Sequence, residues 1–103
     1  MPISGPRYRF NSWQITGAAP EAGVYALWNG EELIYIGRAY GRSDAPDAVS
    51  TIRGRLLDHY TKRALPHDAT HFSYELAAQP AKREAELLLE FQAANARLPR
   101  WNA

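Results

Sequence analysis

A chain of 103 residues, 46% hydrophobic and 22% charged, is long enough for one hydrophobic core and too short for two. It contains no cysteine, which excludes disulfide staples, thiolate metal sites and cysteine nucleophiles, and fits a reducing, cytoplasmic setting. Its net charge of +1 does not by itself announce a nucleic-acid binder, and neither a secretory h-region nor an apolar run of membrane-spanning length occurs, so no membrane partner is expected.

Residues 1–22 carry Arg7 and Arg9 among small and polar neighbours and are expected to form an arm packed on a domain spanning 23–103. Residues 23–28 and 32–37 are rich in β-branched and aromatic side chains, and Asn29-Gly30 between them is a turn signal, which together predict an antiparallel hairpin. Residues 38–50 hold one Gly, one Pro, two Asp and two Ser without apolar periodicity, the composition of a surface loop. In residues 51–60 the spacing of Ile52, Leu56 and Tyr60, widened by Leu57, predicts an amphipathic helix with Ser50 as a candidate cap. Phe72, Tyr74 and Leu76 alternate with His71, Ser73 and Glu75, a third strand with one buried face. Pro80 suits the first turn of a second helix over 81–96, which Pro99 bounds. The expected fold is α/β of the α+β type, a three-stranded antiparallel sheet flanked by helices.

Several residues carry more than fold information. Tyr25 and Tyr35 sit in the two hairpin strands. A two-residue loop at Asn29-Gly30 places Tyr25 opposite Ile34 and sends Tyr35 to the other face, whereas a three-residue loop centred on Gly30 places Tyr25 opposite Tyr35. If the two phenols act together, the second register is expected; taken alone, both are ordinary strand aromatics. Arg55 and His59, four residues apart, share one helix face, where an arginine could stabilise phosphoryl charge and a histidine could move a proton. Glu84 and Glu86 lie early in the second helix, where the helix dipole and neighbouring Lys82 or Arg83 account for them. Glu90 lies mid-helix four residues after Glu86, a like-charge spacing that a bound cation would offset, and one helical carboxylate suits Mg²⁺. Between residues 38 and 63, six basic residues (Arg38, Arg42, Arg53, Arg55, Lys62, Arg63) stand against three acidic ones, an excess that could face phosphates or simply water.

Gly23-Val24-Tyr25, Tyr35-Ile36-Gly37, Arg55 with His59, Glu90 after three leucines, and Asn102 in Pro99-Arg100-Trp101-Asn102 occur in the order and spacing of a known set. The chain from Gly23 to Asn102 resembles the GIY-YIG nuclease superfamily, and its ending is similar to the nuclease domain of the excision-repair incision subunit. The resemblance implies a metal-dependent endonuclease that hydrolyses phosphodiester bonds, DNA favoured over RNA, in DNA repair or a mobile element. It implies Tyr25, Tyr35, Arg55, His59, Glu90 and Asn102 as catalytic residues and Glu90 as the ligand of one Mg²⁺ or Mn²⁺ ion. Nucleic acid is then expected along Arg38, Arg42, Arg53, Lys62 and Arg63. Two departures stand out: the 38–50 stretch is longer than in the excision-repair relatives, and Glu86 offers a competing alignment for the metal ligand. Specificity is expected in DNA structure, the 38–50 loop, a homodimer or a recognition partner.

Two other classes of function stay open. One is a nucleic-acid-binding module that keeps the fold without cutting; the other is an interaction protein anchored by exposed Trp13, Trp28 or Trp101. Packing in the core or against strands is the expected role of those tryptophans.

Overall fold

The computed structural model describes residues 3, 5–40, 51–61 and 68–102. Their elements in chain order are β1 (Tyr8–Arg9), α1 (Ser12–Thr16), β2 (Gly23–Asn29), β3 (Glu32–Ala39), α2 (Ile52–Tyr60), β4 (His71–Leu76) and α3 (Pro80–Asn95). They form an α+β fold around an antiparallel sheet in the order β1-β4-β2-β3. The sheet therefore has four strands, not the expected three. The addition comes from the arm, where Tyr8 and Arg9 pair with Phe72 and His71. A two-residue strand leaves no periodicity to read; Tyr8 is held by its ring, whose centroid lies 5.4 Å from that of Phe72 and 6.0 Å from that of Tyr74.

Helices cover both faces. On one, α1 and α2 bring Ile15, Ile52 and Leu56 against Tyr25, Leu27, Ile34 and Phe72. On the other, Leu87 of α3 packs on Val24 and Ile36. Adjacent strand residues point to opposite faces, so neighbours such as Val24 and Tyr25 feed two separate clusters. This two-sided cover also explains β4. Phe72 and Ser73 are both buried, while Leu76 at the strand end is half exposed, so the strand is not buried on one face alone as its alternation suggests.

Helix α2 begins at Thr51, whose hydroxyl accepts a hydrogen bond from the Gly54 N–H at 3.0 Å. Thr51, not Ser50, is the cap, and Ser50 lies outside the described residues. The buried stripe of α2 is Ile52, Leu56 and His59, whereas Leu57 and Tyr60 are each 40% exposed. Steps of four and then three residues follow the helical period more closely than two steps of four, which drift around the axis. The stripe therefore closes on His59 instead of Tyr60. Helix α3 starts with Pro80 at its first turn, and Ala96 ends it in the left-handed conformation (φ 59°), its N–H donating to Gln92 O at 2.8 Å. No helix among the described residues is long and apolar enough to cross a membrane.

The stripe can be checked by truncation. Leu56→Ala should cost about 2–5 kcal/mol of stability. Leu57→Ala should stay within about 0.5 kcal/mol, both read from urea unfolding midpoints.

Candidate active site

The hairpin register decides which side chains meet. Next to the turn, Asn29 pairs with Glu32 and Trp28 with Leu33, around a Gly30-Glu31 loop in which Gly30 adopts φ 58°. An irregularity between Leu27 and Trp28 then shifts the pairing, so that Leu27 faces Tyr35 and Tyr25 faces Gly37. Ile34 is the extra residue of a β-bulge. Tyr25 is thus not opposite Tyr35, as the three-residue loop predicts, but diagonal to it on the same face. The ring centroids lie 6.1 Å apart.

Gly37 completes the arrangement by having no side chain. A Cβ there would stand 2.5 Å from the Tyr25 hydroxyl and 2.8 Å from Tyr35 Cε2, so the Tyr25 phenol occupies the space a side chain would fill. Above it, α2 supplies His59, whose Nε2 lies 2.9 Å from the Tyr25 hydroxyl. The His59 ring centroid is 5.6 Å from Tyr25 and 5.2 Å from Tyr35. Burial, then the neighbouring Tyr35 phenol, pushes the Tyr25 pKa well above the usual phenol value, against the opposing pull of Arg55. Tyr25 therefore keeps its proton at neutral pH. Arg55, one turn before His59, is half-buried; its Nη1 lies 4.0 Å from Asp58, and its buried Nε has no hydrogen-bond partner among the described residues. A buried guanidinium N–H without an acceptor suits an anionic ligand.

The open side of this cluster is a polar pocket lined by Tyr35, Arg38, Tyr40, Arg55 and Glu84. Arg38 spans its rim. It pairs with Glu84, donates from Nε to the Tyr40 hydroxyl, and lies 5.3 Å from the Tyr40 ring centroid. Asn102 acts behind the strand. Its Oδ1 accepts from the Ile36 N–H and its Nδ2 donates to Ile36 O, both at 2.9 Å, so the carboxamide bonds the free edge of β3 as a peptide group would. The Trp101 N–H donates to Ile34 O at 2.9 Å on the same edge. Asp68 ties this segment down through Arg100 Nη2 at 3.0 Å and Trp101 Nε1 at 3.0 Å.

The remaining sequence-selected residues lie elsewhere. Glu90, the expected metal ligand, lines an apolar groove with Trp28, Leu33 and Ile36, on the α3 side of the sheet and away from the tyrosine cluster. Glu86 is exposed and 3.4 Å from Arg83. Arg53 donates from Nε to Ala18 O at 3.0 Å, tying α2 to the segment after α1. Arg42, Lys62 and Arg63 lie outside the described residues. Of the tryptophans, Trp28 is half-buried with Arg7 4.1 Å from its ring centroid, whereas Trp13 is 84% exposed and does not pack as expected. Helix α1 has five residues and turns Ile15 inward, leaving Trp13 on its outer side.

Glu84 is the residue that sequence reasoning set aside. Its position was legible, because it precedes Leu87 by three and Leu88 by four residues, on the stripe that faces the sheet. Among the described residues no three His, Asp or Glu side chains gather as a metal cage. Comparisons with protein-family models, curated proteins and solved structures return no match, so the functional reading rests on this chain's own residues.

Two measurements follow. Because the folded state favours the neutral Tyr25 phenol, its contribution to stability is complete below the ordinary phenol pKa of about 10 and is lost as pH rises beyond it. Thermal melts should show an alkaline decline that Tyr25→Phe makes shallower, and phenolate absorbance should show one tyrosine that ionises only on unfolding. Asn102→Ala, which leaves both Ile36 backbone groups without these partners, should cost about 1–3 kcal/mol and speed hydrogen exchange at the Ile36 amide.

Proposed function

We propose that this protein is a metal-dependent endonuclease of the GIY-YIG type, hydrolysing phosphodiester bonds in DNA. The carrying observation is the meeting of four side chains from three elements. Tyr25 of β2, Tyr35 of β3, and Arg55 and His59 of α2 share one face, joined by the 2.9 Å contact between the Tyr25 hydroxyl and His59 Nε2.

The burial order assigns the work. Tyr25 and His59 are 0% and 2% exposed, while Tyr35 and Arg55 are half-buried and line the pocket. A phosphodiester entering there meets Arg55, whose partly exposed guanidinium supplies a charge-assisted donor to the charge that grows as phosphorus becomes five-coordinate. Tyr35 is placed to orient the attacking water. Its proton passes inward; since Tyr25 resists ionisation, Tyr25 serves as a relay and the His59 imidazole as the acceptor. Asn102 is a positioning residue, holding Ile36 between Tyr35 and Gly37.

A hard divalent ion would have single α3 carboxylates to draw on, since no three-ligand group gathers among the described residues. Mg²⁺ takes one or two protein carboxylates and completes its shell with water and substrate oxygens, and α3 offers carboxylates without a cage. An ion held by an α3 carboxylate would supply charge neutralisation at the scissile phosphate and assistance to the leaving oxygen. The resemblance gives this ligand as Glu90. Its position away from the cluster favours a second reading, a module that binds nucleic acid without cutting.

Cleavage of labelled single-stranded, duplex, flap and branched DNA, with RNA controls, in Mg²⁺, Mn²⁺ or EDTA separates the two. Metal-dependent cutting is expected, with Arg55→Ala lowering the rate by about 10²–10³-fold in a folded protein. Binding without cutting in any metal establishes the module, and full activity in Arg55→Ala removes the proposed phosphate contact.

A further inference from the structure

The pocket at Arg55 presents an aromatic ring that the chemistry above does not use. We propose that Tyr40 is a stacking platform for an unpaired base next to the scissile phosphate, so that the site takes DNA whose strand leaves the duplex stack at the point of cutting. This role rests on the nuclease reading and deepens it, because it names the structure of the substrate.

Three observations support Tyr40. First, it is 58% exposed directly after β3 ends at the fully buried Ala39, and it belongs to neither apolar cluster among the described residues. Core packing therefore does not account for the ring. Second, the ring is held in place. Arg38 Nε donates to its hydroxyl, the guanidinium carbon lies 5.3 Å from its centroid, and Glu84 anchors the same guanidinium from α3. A ring ordered in advance loses little conformational freedom when a ligand lands on it. Third, Tyr40 shares its pocket with Tyr35 and Arg55. The cavity of about 330 Å³ is at the small end for ligand sites. It suits one phosphate and one base, not a base pair held within its stack.

The selection follows from how bases stack. Inside a duplex both faces of a base are covered by its neighbours, so a protein ring can take one only after the base has left the stack. Unstacking costs least where the nucleotide is already unpaired. Every base has a π-face, so the preference is for strand structure and tolerates any base sequence. Arg55 meets a phosphate that every DNA carries, and contacts of that kind position a strand without discriminating among substrates. Discrimination then lies with Tyr40, which favours flaps and single strands over continuous duplex.

The test is fluorescence anisotropy in EDTA, which measures binding without metal-dependent cutting, on a single-stranded oligonucleotide, a flap and a continuous duplex. Thermal melts confirm that each variant is folded. The wild-type chain should bind the single-stranded and flap DNA about tenfold more tightly than the duplex. Tyr40→Ala should weaken binding of those two by about tenfold and leave duplex binding little changed. Tyr40→Phe should keep the wild-type affinity, because the ring and not the hydroxyl makes the stack. In a flap series with one abasic residue moved through the junction, one position should bind the wild type and Tyr40→Ala equally well, since no base is left there to stack. A loss in Tyr40→Phe equal to that in Tyr40→Ala traces the effect to the Arg38 contact and overturns the stacking role. Wild-type preference for duplex overturns it as well. Unchanged affinity in Tyr40→Ala, in a protein that still binds and cuts DNA, overturns it while leaving the nuclease reading intact. A wild-type chain that binds none of these DNAs removes both together.

Discussion

The site depends on one extra residue in an edge strand. Next to the turn, β2 and β3 pair so that, carried forward unchanged, Tyr35 would face Ala26 and project onto the α3 side. The bulge at Ile34 reverses that parity before Tyr35 is reached. Tyr35 and Gly37 then share a face with Tyr25, beneath α2. Ile34 itself turns into the core with Leu27 and Ile15, so the irregularity is anchored by buried apolar contact. The same parity places Ile36 and Arg38 on the α3 side, where Ile36 meets Leu87 and Arg38 meets Glu84.

Strand β3 is also the outer edge of the sheet, which makes it accessible to a ligand and exposes it to unwanted pairing. The turn at Trp101 and Asn102 answers both needs. It bonds Ile34 and Ile36 without adding a strand, and takes no part in lining the pocket at Tyr35 and Arg55. The Asp68 carboxylate, held below its ordinary pKa by Arg100, Trp101 and Asn29 against the upward push of burial, fixes this turn to the far end of the hairpin. Chain end, hairpin turn and catalytic candidates are thus mechanically linked through short polar contacts.

How much of this was readable differs from residue to residue. The hairpin, α2, α3 and β4 follow from periodicity and turn chemistry, because each buries enough side chains to impose a pattern. Strand β1 does not, being two residues held by a tyrosine ring. That Tyr25 and Tyr35 share a face was one of two registers left open by loop length; a bulge has no composition of its own, and only its pairing partners reveal it. The grouping of Arg55 with His59 follows from helical spacing, and the burial of His59 in place of Tyr60 from the fractional helical period. Glu84 was missed because an acidic residue near a helix start has a ready explanation in the dipole, which says nothing of the side chains it faces.

The remaining step concerns how burial divides the chemistry. Tyr25 and His59 sit in a nearly water-free layer where a phenolate is disfavoured and hydrogen bonds are strengthened, so Tyr25 is suited to passing a proton on without itself ionising. Arg55 and Tyr35 form the boundary, and Arg38, Glu84 and Tyr40 the wetter rim. Formal charges on the pocket wall leave a single positive excess, enough to favour one phosphodiester anion but modest beside the charge that develops during displacement.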